Sequence, residues 1–159
     1  MQAALRSGFH PSAASTRSSL DDVSPAHCAD GEFLAMLAAY RRHGGLAHAE
    51  ELLALLRGDG GDGLSTLARW IARRSVISFE WQAQIWLPLF QFTRPDMRPC
   101  PAVVSVLAEL APVCEPWELA HWFARDNVWL DGRVPAGALA ITPAAVLAAA
   151  RADRFIRTG

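Results

Sequence analysis

The sequence predicts a mainly α fold: a compact helical domain with a short β or extended aromatic segment in its middle. Three observations carry this. Apolar residues recur at helical spacing along most of the chain. Only one stretch, SVISFEWQ, switches to strict alternation. The composition, 52% hydrophobic against 19% charged over 159 residues, supplies enough apolar material for a packed core in one domain.

Taken in order, residues 1–30 are rich in Ser and Ala with scattered Arg and lack an apolar signal-peptide core, so they read as a disordered tail. GEFLAMLAAYRRHGG reads as a helix with Phe33, Leu34, Leu37 and Tyr40 at helical spacing, ended by Gly44–Gly45. LAHAEELLALLR follows as a second helix, with Leu46, Leu52, Leu53, Leu55 and Leu56 on a broad apolar face. The Gly/Asp run 58–63 is a loop, and Ser65 is the expected N-cap of a third helix, TLARWIARR. These elements group as a helical N-terminal subdomain over 31–75, a degenerate helix-turn-helix in topology. Residues 76–159 form the remaining unit.

In SVISFEWQ, Ile77, Phe79 and Trp81 alternate with Ser78 and Glu80, which predicts a strand. IWLPLFQF follows with no charge and a Pro at its centre. Pro88 has no N–H to give a ladder, so an edge strand or an extended crossing is expected here. Alternation turns Glu80 and Gln91 to solvent or onto a neighbouring backbone. AVVSVLAELAP is then a helix with Val103, Val106, Leu107 and Leu110 inward, and PWELAHWFA another, opened by Pro116. RDNVWLDGRVP is a loop that turns at Asp131–Gly132. Two short helices close the chain near 135–139 and 143–152, the second led by Thr142 and Pro143, with a frayed amphipathic end.

Several classes of function find no residues to support them. All fifteen basic residues are Arg, so neither Schiff-base nor P-loop lysine chemistry is available. Cys28, Cys100 and Cys114 are odd in number and widely spaced, which argues for plain thiols in a reduced, cytoplasmic setting and against a metal site or disulfide framework. No apolar run is long enough for a membrane span. No GxSxG, HExxH or Gly-rich phosphate loop occurs. Of the histidines, only His121, three residues after Glu118, offers an acid/base arrangement, and i,i+3 neighbours on a helix meet by geometry alone. Arg69, Arg73 and Arg74 on the third helix are the candidate DNA contacts. The acids of the 58–63 loop, the lack of a polar reading face and the net charge of −1 stand against them. Six Trp residues exceed what a chain of this length readily buries, so one or two are expected at an interface, Trp129 first.

Residues 86–155, a little under half the chain, resemble the toxin-binding domain of the Xre/MbcA/ParS antitoxins. The resemblance rests on an ordered set: Pro88, Phe90, Gln91 and Phe92 before a helix, Trp122 near the end of the next, then Asn127, Leu130, Gly132 and Pro135. Asp126 stands where that family often has Pro, and AITPAAV replaces its usual Gly-rich link. The resemblance implies a bacterial interaction protein without catalytic residues, cofactor or metal. It implies a toxin partner, commonly of the NAD-consuming RES type, whose active site is blocked by the antitoxin's C-terminal part, and a possible homodimer acting on operator DNA. The implied partner contacts are Asn127, Trp129, Arg151, Arg154, Phe155 and Ile156. An orphan regulator or adaptor without a toxin is the alternative.

Overall fold

The computed structural model describes residues 25–56 and 62–159. It is mainly helical with a small strand component, as expected. Among the described residues, seven α-helices and five short strands follow in order: α1 (Pro25–Tyr40), β1 (Leu46–His48), α2 (Ala49–Leu56), α3 (Gly63–Ala72), β2 (Phe79–Trp81), β3 (Gln84–Pro88), β4 (Phe92–Thr93), β5 (Arg98–Pro99), α4 (Pro101–Leu110), α5 (Pro116–Ala124), α6 (Pro135–Ala138) and α7 (Pro143–Thr158). The antiparallel order β1–β3–β2 makes one three-stranded sheet, and β4 and β5 pair separately.

The aromatic middle is apolar because the sheet separates two cores. Trp86 and Phe90 pack with α1, α4, α5 and α7 on one side. Leu87, Leu89 and Phe92 pack with α2 and α3 on the other. Where β3 is covered on both faces, at Leu87 and Pro88, no solvent side remains for polar residues, whereas Gln84 and Ile85 at its start are exposed. β3 is the central strand of its sheet, not an edge. Pro88 is tolerated because it is the last residue of β3, where β2 no longer pairs. Continuing that register by two residues brings Ile77 opposite Pro88.

Gln91 completes the edge that Pro88 leaves open. Its Oε1 accepts the Ile77 N–H at 2.6 Å, while its Nε2 donates to the carbonyls of Ile77 and Pro88 at 2.9 Å each. Gln91 is only 1% exposed, and its amide bonds both ways with the backbone. The expectation that it caps a neighbouring backbone holds, and a solvent-facing Gln91 is excluded. Glu80 is exposed.

Other elements depart from the sequence reading for local reasons. α1 starts at Pro25, inside the stretch expected to be a tail; residues 1–24 lie outside the described residues. Its buried face is Phe33, Met36 and Tyr40, whereas Leu34 points outward. The Tyr40 hydroxyl donates to the Ala120 carbonyl at 2.7 Å and fastens α1 to α5. Leu46 begins β1, not a helix, because the Gly44–Gly45 turn delivers the chain to the free side of β3. β1 thus joins the segment before residue 75 to the sheet of the segment after it. Asp62, not Ser65, caps α3: its carboxylate accepts the Ser65 backbone N–H and hydroxyl. α7 runs unbroken to Thr158 where fraying was expected, and the Thr142 side chain makes no cap bond. Val103, Val106, Leu107 and Leu110 are fully buried, as the spacing of α4 predicts.

Candidate functional site

The ARDNVWLDGR loop and the end of α7 form one surface, built from buried groups outward. Asn127 is buried and organises the loop. Its Oδ1 accepts the Trp129 N–H at 2.9 Å, its carbonyl accepts the N–H groups of Leu130 and Gly132, and its own N–H bonds the Arg133 carbonyl. Leu130 drops into the core as the loop's apolar anchor. The reversal needs left-handed backbone at Asp131 (φ 55°) and Gly132 (φ 76°), which suits Asp and Gly. Pro135 then opens α6.

Asp153 ties this loop to α7. Its Oδ1 accepts the Trp129 indole N–H at 2.8 Å. Its Oδ2 accepts the Trp122 indole N–H at 2.5 Å and the Asn127 side-chain amide at 3.3 Å. One carboxylate thus links α5, the loop and α7. Sequence reasoning missed Asp153. The signal available was a lone acid among Arg151, Arg154 and Arg157, one and two turns beyond the buried face of Val146, Ala149 and Ala150.

Large apolar side chains are exposed on both elements: Val128 at 84% and Trp129 at 50% on the loop, Phe155 at 76% and Ile156 at 65% on the last turns of α7. The arginines around them are compensated internally. Arg151 and Arg154 both hold Glu109 on α4, at 2.9 and 2.8 Å, and Arg157 reaches Glu118 at 3.3 Å. First Arg151 and then Arg154 hold the Glu109 carboxyl below its usual range. Of the implied contacts, Asn127 is thus a buried scaffold, Arg151 and Arg154 are exposed but paired, and Trp129, Phe155 and Ile156 are presented.

The other candidates resolve differently. Glu118 does not serve His121: its oxygens take the Glu115 N–H and Arg157. The carboxylate nearest to His121 is Glu32 of α1, 3.8 Å from Nε2. Burial, then the Arg125 charge, pushes the His121 imidazole below its ordinary value. Arg69 on α3 and Arg73, one residue past its end rather than within it as expected, are exposed. Arg74 is committed to the fold, its guanidinium donating to the carbonyls of Ala111 and Cys114 past the end of α4. Among the described residues no group of His, Cys, Asp and Glu is arranged to hold a metal ion. No described helix is long and apolar enough to cross a membrane.

No family model, curated protein or solved structure matches the chain.

Proposed function

We propose that this chain is an antitoxin-like protein that binds and neutralises a partner toxin through the loop 127–133 and the end of α7, in a cytoplasmic setting. What carries the reading is one observation: Val128, Trp129, Phe155 and Ile156 stand out from two elements that Asp153 binds together. Large apolar side chains on an ordered backbone are the usual anchors of a protein interface, since little conformational entropy remains to be lost on binding. The ordered set from Pro88 to Pro135 that resembles the Xre/MbcA/ParS toxin-binding domain supports a RES-type, NAD-consuming toxin as the partner. Internal pairing of Arg151 and Arg154 with Glu109 leaves the apolar groups as the main source of affinity.

The test is co-expression with the product of the adjoining reading frame, followed by pull-down and size exclusion, with Phe155→Asp alongside. A stable complex that Phe155→Asp weakens supports the reading. A neighbour that is harmless alone and forms no complex refutes it.

A further inference from the structure

Asp153 is an unusual carboxylate for its surroundings. Three arginines share its helix, yet none pairs with it: Arg151 and Arg154 go to Glu109 and Arg157 to Glu118. Its three partners are neutral N–H donors, and two of them are indoles from different elements. A charged acceptor makes roughly twice the hydrogen bond of a neutral one, and two oxygens can hold two indoles in fixed relative orientation. Half of the Trp129 surface is in solvent, and its backbone N–H is given to the Asn127 side chain at 2.9 Å.

We propose that Asp153 is the positioning residue of the partner-binding surface, setting the orientation in which the half-exposed Trp129 ring is offered from the loop. The proposal rests on the function inferred above. Without the carboxylate, the Trp129 indole is free to turn about its own side-chain bonds, and the partner must then order it on binding. That cost falls on affinity, while the cores on either side of the sheet are untouched. Asp153→Asn is the informative variant. It keeps the size but halves the acceptor capacity, so it cannot hold both indoles at full strength.

The experiment has two arms on the full chain. The first reads the indole N–H signals of 15N-Trp-labelled protein, assigned with Trp122→Phe and Trp129→Phe. In Asp153→Asn and Asp153→Ala the Trp122 and Trp129 signals move and exchange faster with solvent, while the signals of Trp70, Trp81, Trp86 and Trp117 stay in place. The second measures binding to the product of the adjoining reading frame. Asp153→Ala weakens it on the order of tenfold, and in a Trp129→Ala background it adds almost nothing, because the group it positions is gone. A purely structural role would weaken both backgrounds equally, and that result overturns the proposal. So do unmoved indole signals, or wild-type binding by Asp153→Ala. If the wild-type chain binds no partner, the proposed function fails, and the indole signals alone decide whether Asp153 positions Trp129.

Discussion

Gln91 and Asp153 each gather several hydrogen bonds at one side chain, and they do opposite things. Gln91 is neutral, buried, and bonded to backbone: the Ile77 N–H and the carbonyls of Ile77 and Pro88. It holds the sheet between two cores together. Asp153 is charged, partly exposed, and bonded to side chains: the buried Asn127 amide and two indoles, of which that of Trp129 stands half in solvent. The difference separates a group that makes the fold from one that prepares a surface. A buried amide facing backbone has no further capacity to offer a partner. A carboxylate holding the half-exposed Trp129 ring spends its binding on a group that remains available.

The largest expected effect breaks the first of the pair. Gln91→Ala leaves one N–H and two carbonyls without partners in a dry site, at a cost of about 3 kcal/mol. Thermal unfolding should show this as a fall of roughly 6–12 °C in Tm for a chain of this size. Asp153→Ala breaks the second at a surface where water replaces the lost acceptor. It should cost about 1 kcal/mol and leave the denaturant slope unchanged. If the two variants melt alike, the distinction between the buried Gln91 and the surface Asp153 is wrong.

Glu109→Gln sharpens the comparison further. It releases Arg151 and Arg154, so amide exchange should quicken in the last two turns of α7 while β2 and β3 keep their protection. Its effect on Tm should be smaller than that of Asp153→Ala, because the pairs are exposed.

The smallest effect is one of pH. His121 has its folded value lowered, by burial and then by Arg125, with Glu32 opposing. The unfolded chain therefore binds the proton more readily. The stability this gives is fully present above the unfolded value, about 6.5, and is lost as pH falls towards the folded one. His121→Gln should flatten the decline of stability below about pH 6.5. An unchanged slope would mean that other groups produce it. Glu118, which lines the same cleft and whose carboxyl the Glu115 N–H and then Arg157 hold below its usual range, is the one to examine next.

Much of this was legible in the sequence, and the misses have physical causes. The interior of α4, the Asp131–Gly132 turn and the exposure of Trp129 followed from local chemistry: apolar spacing, left-handed preference, and an indole stranded in a polar loop. β1 was read as helix because Leu46–His48 has no strand pattern of its own. Only pairing to β3 makes it one. β3 was read as an edge strand or an extended crossing because Pro88 argues against a central position, and the remedy, a Gln three residues later, works through a side-chain contact that no periodicity encodes. The same holds at the surface. Asn127, Trp129, Phe155 and Ile156 came from residue type and resemblance. Asp153 depends on three partners drawn from 24 to 31 residues earlier in the chain, and only folding brings them together.

If the exposed apolar residues of the loop and of the end of α7 are what the proposed partner grips, a charge placed among them must cost affinity. This is read by titrating the product of the adjoining reading frame with the wild-type chain, Phe155→Asp, and Leu34→Asp as a control on α1, where Leu34 is comparably exposed at 62%. The account predicts tight binding by the wild type and by Leu34→Asp, with a loss on the order of a hundredfold for Phe155→Asp at unchanged Tm. Equal binding by all three chains, or a greater loss for Leu34→Asp, would contradict it.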